Sequence, residues 1–335
     1  EWAAVLKTDP IGIDDNFFEL GGDSLKIVRI LVSLIPYNWD LTARDFYRYQ
    51  TVRALSDKIR GEAGEVKWES AVKEIAIVPF KHDPNNISVS SRRVKPGNVL
   101  LTGATGYLGA HLLRELLHMT DAEVYCLVRG SSQTDADLRM AGTIDFYFPE
   151  EKTAEWWERV HVIPGDITLP NWGLDEAQMA ELESALNTVF HCAANVKHYG
   201  GYKEFEEVNV NGTRSIVEFC LKNNKRLHHM STTSVSGYYL VRQNIENQMF
   251  TENDFYIGQR YYENVYVRSK FEAENLILQF MAEGLNATIH RIGVLSGRYT
   301  DGKFQPNIYD NALYNRLRSI LQMGFVQEDY SNLDL

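Results

Sequence analysis

The sequence has few cysteines and no long apolar run. Its three cysteines, Cys126, Cys192 and Cys220, form no Cys-x-x-Cys pair, which excludes a disulfide framework and a zinc site built on paired cysteines. We interpret them as buried thiols of a protein from a reducing compartment. No stretch reaches the length of a membrane span, and no signal-peptide pattern opens the chain. These absences indicate a cytoplasmic protein with no membrane partner.

Basic clusters are also missing. The formal net charge is -11, whereas nucleic-acid-binding proteins usually carry a basic face, so we expect no nucleic-acid partner. At 335 residues the chain is near the limit of a single core, and two domains are expected. The content of 44% hydrophobic and 24% charged residues is typical of globular domains.

A serine stands at a predicted helix start near the amino end. Residues 21–24 read Gly-Gly-Asp-Ser, and apolar residues then recur with helical spacing at Leu25, Val28, Leu31 and Val32. Capping of the first turn by Asp23 or Ser24 is one interpretation. The other is a phosphate ester on Ser24, which would face free amides and the positive end of the helix dipole.

The surrounding sequence resembles a known carrier family. Residues 13–25, with Phe17 and Phe18 ahead of the glycines, and residues 41–47 resemble a peptidyl carrier domain of a non-ribosomal peptide synthetase. The resemblance covers residues 1–60 and implies a small all-α four-helix bundle. It implies that a phosphopantetheinyl transferase attaches 4′-phosphopantetheine covalently to Ser24. Little room precedes the motif for a full first helix, so we expect a trimmed amino end.

The rest of the chain alternates strands and helices. Residues 61–97 collect prolines, asparagines and serines, which predicts a linker. Residues 98–335 then carry apolar runs of strand length separated by helical segments, which predicts an α/β Rossmann fold with a doubly wound parallel sheet. The predicted strands are 98–102, 123–128, 161–164, 188–192, 226–230 and 287–292.

A glycine motif follows the first predicted strand. Its spacing from residue 103 to residue 109 is Gly-x-x-Gly-x-x-Gly. The first glycine turns the chain, the second lets backbone approach a pyrophosphate, and the third lets the helix pack on the strand. The motif predicts dinucleotide binding. Its predicted cofactor residues are Gly103, Thr105, Gly106, Tyr107, Leu108 and Gly109.

The second predicted strand is followed by a base. Arg129 stands where an NAD-dependent enzyme presents an acid to the ribose, and its guanidinium can bind a 2′-phosphate through two hydrogen bonds, which favours NADPH. Arg139 is a second candidate, and a plain surface arginine is the alternative for Arg129. Asp166, with Ile167, can accept a hydrogen bond from the adenine amine, or Asp166 simply closes a turn.

Tyr266 and Lys270 stand four apart on a predicted helix, and that spacing puts them on one face. A phenol has a pKa near 10, and a nearby ammonium lowers it by stabilising the phenolate. Tyr266 can then donate a proton as hydride arrives at a carbon. An exposed pair on a surface helix is the alternative interpretation.

With these motifs, residues 98–335 resemble the extended short-chain dehydrogenase/reductases, and more closely the terminal thioester reductase domains of peptide synthetases and carboxylic acid reductases. The resemblance implies that Thr232 is the catalytic hydroxyl, with Ser231 and Thr233 as neighbouring alternatives, and that Lys270 also binds the nicotinamide ribose. It further implies that Ala193, Ala194 and Asn195 line the cofactor, and that Asn209 is the family's helix asparagine. His228 and His229 lack a third metal ligand, so no metal site is predicted.

Together the two resemblances imply reductive release. NADPH would reduce a peptidyl or aminoacyl thioester on the carrier to an aldehyde, or further to an alcohol, with upstream condensation and adenylation modules supplying the acyl group. Alternatives are a carboxylic acid reductase fragment, a sugar-nucleotide epimerase or dehydratase of the same fold, and a non-catalytic carrier-docking or nucleotide-binding module. Because family reductases continue beyond this point, we expect the carboxyl-terminal substrate subdomain to be truncated.

Overall fold

A computed structural model describes residues 1–22, 24–42, 45–46, 49–62, 75–79, 95–150, 157–197, 200–237, 250–308 and 311–323. The amino-terminal part contains three described α-helices, α1 (Trp2–Leu6), α2 (Ser24–Leu34) and α3 (Val52–Arg60). They enclose a small aromatic core in which the Phe17 ring meets the rings of Trp2 and Phe46 edge-on, at centroid distances of 4.8 and 5.6 Å. Residues 43–44 and 47–48 of the predicted four-helix bundle lie outside the described residues.

The remainder forms the predicted parallel sheet. Its six strands lie in the order β3-β2-β1-β4-β5-β6, and every described strand pair is parallel. The order reverses between β1 and β4, which is the point where ligands bind in doubly wound folds. The strands are β1 (Val99–Thr102), β2 (Val124–Val128), β3 (Val160–Pro164), β4 (Thr188–His191), β5 (Arg226–Thr232) and β6 (Ala287–Ile292).

Helices cover both faces of the sheet. Side chains alternate along β1, so Val99 and Leu101 face one apolar layer while Leu100 faces the other. This two-sided burial is why β1 and β2 read as nearly continuous apolar runs. The helices are α4 (Tyr107–Met119), α5 (Gln133–Tyr147), α6 (Glu176–Ala185), α7 (Tyr202–Phe205), α8 (Gly212–Lys222), α9 (Val265–Ala282) and α10 (Ala312–Met323), with a π-helix at Glu206–Asn211 between α7 and α8.

Two segments connect the parts of the chain. Residues 75–79 of the predicted linker lie along α9, where the Val78 amide donates to Asn275 Oδ1 at 2.9 Å and Asn275 Nδ2 donates to the Ala76 carbonyl at 3.0 Å. At the other end, α10 contacts α2. The helix that starts at Ser24 therefore lies against the reductase-like part. None of the helices that the structure describes is both long and apolar enough to cross a membrane.

Candidate active site

The glycine motif forms a tight turn between β1 and α4. Gly103 has a φ of 72°, and a Cβ there would stand 2.7 Å from the amide nitrogen of Ala193 in the loop after β4. Gly106 directly precedes α4 as its N-cap. The free amides at the start of α4 thus face the carboxyl edge of the sheet, as pyrophosphate binding requires.

A cleft of about 350 Å³ opens beside this motif. Thr105 lines one side, and Arg139, Thr143 and Tyr147 of α5 line another. Tyr147 is 1% exposed, and its hydroxyl has no hydrogen-bond partner among the described residues. Hydroxyls, a guanidinium and an unpartnered phenol suit the phosphate and ribose oxygens of a nucleotide. The residues present therefore fit a dinucleotide.

The two predicted arginines meet at the end of β2. Arg129 and Arg139 are both exposed, and Arg139 Nη1 donates to the carbonyl oxygen of Arg129 at 2.5 Å. That bond anchors one side of the Arg139 guanidinium near the motif. The two residues therefore lie close together at the carboxyl end of β2.

Asp166 and Ile167 have local roles in the structure. Oδ1 of Asp166 accepts hydrogen bonds from the amide and the hydroxyl of Thr168, at 2.9 and 2.8 Å. This is a turn closed by an aspartate, the alternative that the sequence left open. Ile167 is buried in the apolar layer around Leu100, so its side chain packs in the core.

The loop after β4 is held by a buried amide. Asn209, 1% exposed, accepts from the Asn195 amide at 2.7 Å and donates to the Asn195 carbonyl at 2.9 Å and to Ser269 Oγ at 2.8 Å. It lies in the π-helix, a distortion that often marks functional sites. Asn209 therefore fixes the backbone next to Ala193 and Ala194.

Thr232 and Tyr266 share a side-chain hydrogen bond. Thr232 ends β5, and Tyr266 lies in the first turn of α9, which Asn264 caps by accepting from the Tyr266 and Val267 amides. Burial raises the pKa of the Tyr266 phenol above 10, while the Thr232 hydrogen bond lowers it. The expected net lowering by the Lys270 ammonium is wrong for this structure, because burial dominates.

Lys270 is buried, which rules out the exposed surface pair. It is 2% exposed, and its ammonium donates to the Met230 carbonyl at 2.6 Å and lies 3.2 Å from His229 Nε2. Burial lowers the pKa of Lys270 to about 8, and the Glu274 carboxylate partly opposes that shift. The lysine is therefore largely charged at neutral pH.

Ser231 and Thr232 have different hydrogen-bond partners, because Ser231 belongs to a buried network with Glu274 and Arg291. Ser231 Oγ donates to Glu274 Oε1 at 2.5 Å, and Arg291 Nη2 donates to Glu274 Oε2 at 2.8 Å. Ser231 is thus committed to this ion pair, while Thr232 meets Tyr266. Glu274 was not predicted as a site residue, although Glu274 continues the spacing of four set by Tyr266 and Lys270.

The strand histidines point to opposite faces of β5. His228 stacks on Phe190 with a ring distance of 4.5 Å and bonds through Nδ1 to His290 Nε2 at 2.9 Å, whereas His229 meets Lys270. In the described part of the chain, no three His, Cys, Asp or Glu side chains are grouped so that they could hold a metal ion.

Ser24, the predicted attachment residue, is the first residue of α2.

Comparison with known proteins covers the whole chain. Residues 101–334 match the family model described as Male sterility protein, an NAD-binding family, and residues 1–59 match the model described as Phosphopantetheine attachment site. A linear gramicidin synthase polypeptide of Brevibacillus parabrevis is 28% identical over 358 residues. This match covers 100% of this chain and 7% of the synthase polypeptide.

Two solved structures are similar to this chain, one over nearly its whole length and one over 70% of it. A thiolation-reductase di-domain from an archaeal non-ribosomal peptide synthetase is 31% identical with a TM-score of 0.77, over 98% of this chain and 69% of that one. The terminal R domain of the myxalamid pathway is 29% identical with a TM-score of 0.59, over 70% of this chain and 58% of that one. These matches support a nicotinamide-dependent oxidoreductase domain beside a carrier.

The order of the two matched regions agrees with the fold, since the carrier-like helices precede the parallel sheet. The chain belongs to the Male sterility protein family through residues 101–334 and, with its phosphopantetheine attachment domain, to the thiolation-reductase di-domains of non-ribosomal peptide synthetases.

Proposed function

We propose that this chain releases an acyl or peptidyl group from its own carrier by NADPH-dependent reduction of the thioester to an aldehyde. The observation that carries the proposal is the hydrogen bond between Thr232 and Tyr266 at the carboxyl edge of the sheet. It stands one helical turn from the buried Lys270, in a chain that also holds a phosphopantetheine attachment domain.

The carrier would present the substrate from Ser24. As the first residue of α2, Ser24 stands at a helix amino end, where a phosphodiester is stabilised by free amides and the helix dipole. The contact of α2 with α10 supports a carrier that lies against the reductase part. Tethering in this way raises the effective concentration of the thioester, so a weak contact is enough.

Thr232, Tyr266 and Lys270 would act on the carbonyl oxygen. When bound, NADPH supplies the hydride that reduces the thioester carbon. The Thr232 hydroxyl and the Tyr266 phenol would stabilise the developing negative charge on the oxygen, and Tyr266 would donate the proton. The Lys270 ammonium would then offset the charge of the phenolate. The resulting thiohemiacetal breaks down to an aldehyde and the free pantetheine thiol.

Cofactor choice would rest on the arginines at the end of β2. Arg129 and Arg139 would bind the 2′-phosphate, while Gly103, Gly106 and the amides at the start of α4 would hold the pyrophosphate. We also propose that condensation and adenylation domains act upstream, because this chain corresponds to a small part of the gramicidin synthase polypeptide. A phosphopantetheinyl transferase would activate the carrier.

The first test is the tether. Incubation with coenzyme A and a phosphopantetheinyl transferase should raise the intact mass by one phosphopantetheine. Ser24→Ala should abolish the increase. A mass that does not change in the parent chain would remove the carrier function.

The second test is hydride consumption on the loaded thioester. We expect Tyr266→Phe to slow NADPH oxidation by about 100-fold, the usual contribution of a positioned proton donor. The matched control is Tyr125→Phe, a strand tyrosine stacked on His161. Equal rates in Tyr266→Phe and the parent would remove Tyr266 as the acid. One NADPH consumed per product indicates an aldehyde, and two indicate an alcohol.

A further inference from the structure

His229 and Lys270 meet in the interior between β5 and α9. The distance from His229 Nε2 to Lys270 Nζ is 3.2 Å, and the ammonium also donates to the Met230 carbonyl at 2.6 Å. The side chains of His229 and Lys270 are 1% and 2% exposed. Because a buried ammonium must satisfy its N–H groups within the protein, these two acceptors decide where it points.

The nearby carboxylate is already bound by other groups. Glu274 Oε1 accepts from Ser231 at 2.5 Å, and Oε2 accepts from Arg291 at 2.8 Å. Glu274 acts on Lys270 through its charge, but its hydrogen bonds go to Ser231 and Arg291. The hydrogen bonds of the Lys270 ammonium therefore go to neutral acceptors. One is the backbone carbonyl of Met230, and the other is the side chain of His229.

The contact also fixes the tautomer of His229. An ammonium can only donate, so Nε2 accepts and the ring proton is on Nδ1. Nδ1 has no hydrogen-bond partner among the described residues. Within that part of the chain, the His229 ring therefore makes a single hydrogen bond, the one to Lys270. An imidazolium would place a second cation 3.2 Å from the ammonium. Burial and Lys270 accordingly hold the pKa of His229 well below 6.5.

We infer that His229 is a positioning residue that holds the Lys270 ammonium in place and in its charged form, one helical turn along α9 from Tyr266. The inference rests on the proposed function, because that function uses the positive charge of Lys270. The preceding residue, His228, is on the opposite face of β5 from His229, and its ring contacts Phe190 and His290. Only one of two adjacent histidines is therefore assigned this role.

Among the described titratable groups around His229 and Lys270, only Lys270 has a pKa near 8. Burial lowers the pKa of His191 to about 3 and raises that of Cys192 to about 12, while the pKa of His290 lies below 6.5 and that of Tyr266 above 10. Glu274 is the acidic neighbour. A group that titrates near pH 8 at this site is therefore Lys270, whose pKa burial lowers to about 8.

The test measures the Lys270 pKa directly in the full chain. Lysines labelled with ¹³C at Cε are titrated by NMR, and the Lys270 signal is assigned by its loss in Lys270→Met. Because His229→Leu removes the acceptor, we expect the midpoint to fall by about one pH unit. At pH 8 the charged fraction would then drop from about one half to about one tenth. His229→Phe, which keeps a flat ring without an acceptor, replaces His229→Leu if that variant does not fold.

Two variants separate the hydrogen bond from packing. His229→Gln offers an amide oxygen and should restore the midpoint, and the control His228→Leu should leave it unchanged. An unchanged midpoint in His229→Leu, or the same fall in His229→Gln, overturns the inference. Failure of the proposed function has a different signature, namely a parent chain that titrates near pH 8 but oxidises no NADPH on the loaded thioester. If both hold, the alkaline limb of the rate profile should move with the Lys270 midpoint.

Discussion

A Cβ atom on Gly109 would stand 2.1 Å from the carbonyl oxygen of Gly103. The backbone of α4 therefore packs directly on the turn that leaves β1, with no space for a side chain. The obstacle is a main-chain oxygen, so a change of rotamer cannot relieve it. The close approach explains the third glycine of the motif by geometry alone.

Gly109→Ala should accordingly displace α4 from the turn. We expect a loss of about 1–3 kcal/mol in the free energy of unfolding, the usual range for overpacking, together with weaker NADPH binding. Denaturant unfolding and cofactor fluorescence measure the two effects. Gly293→Ala is the matched control, since nothing lies within 4 Å of a Cβ at that position. Equal stability of the two variants would contradict the packing argument.

Cofactor preference should change when the arginines at the end of β2 are removed. A hydrogen bond to a charged group contributes about 1.5–3 kcal/mol, so Arg129→Ala or Arg139→Ala should weaken NADPH binding by about 10- to 100-fold. Binding of NADH, which has no 2′-phosphate, should stay nearly unchanged. Titration with both cofactors measures the ratio, and Arg214→Ala, an exposed arginine on α8, is the control. Equal losses for NADPH and NADH would show that the arginines do not read the 2′-phosphate.

Acid should destabilise the sheet through His228. Burial, with the neighbouring His290, lowers the folded-state pKa of His228 to about 4, from 6.5 in the unfolded chain. Between these values the unfolded chain binds more protons, so stability falls as pH drops from 6.5 towards 4. Because His228 is partly exposed, we expect His228→Gln to reduce that fall by about 1–2 kcal/mol.

Unfolding of His228→Gln at pH 7 and pH 4.5 measures this difference. A constant offset from lost stacking cancels when the two pH values are compared. His118→Gln, at an exposed position on α4, should leave the fall in stability as it is in the parent chain. An identical pH dependence in both variants would exclude His228 as a source of acid lability.

Much of the fold could be predicted from the sequence because its elements are set by local patterns. The first two strands of the sheet, β1 and β2, read as apolar runs, and the predicted bounds of all six strands agree with the structure within two residues. The glycine motif and the spacing of Tyr266 and Lys270 are local patterns too. The choice of Thr232 followed from the resemblance to the reductase family, which left Ser231 and Thr233 as alternatives, and the structure gives Thr232 a hydrogen bond with Tyr266.

The missing parts of the site depend on contacts between distant segments. His229 and Lys270 are 41 residues apart in sequence, and Ser231 and Glu274 are 43 apart. No local sequence pattern predicts which polar side chains of β5 and α9 will contact each other once the strand and the helix have packed. The same burial also reversed the expected direction of the Tyr266 pKa, since desolvation depends on packing that the sequence does not reveal.

Removing only one charge of the buried ion pair between Glu274 and Arg291 should strongly reduce the free energy of unfolding. Glu274 is 0% exposed, and the Arg291 guanidinium also donates to the Asp254 carbonyl at 2.8 Å, so it ties β6 to the segment ahead of α9. Glu274→Gln leaves that charge without its carboxylate. We expect a loss of about 3–5 kcal/mol in the free energy of unfolding, as for other buried pairs that lose one partner.

Removing both charges of this pair should cost less than removing one. Because the double variant Glu274→Leu with Arg291→Met leaves no unpaired charge in the interior, it should recover most of the loss. Glu283→Gln, an exposed glutamate just beyond α9, should change stability by less than about 0.5 kcal/mol. Chemical unfolding of the four proteins measures all three differences. A double variant less stable than Glu274→Gln would mean that the interactions of the pair outweigh the cost of burying its charges.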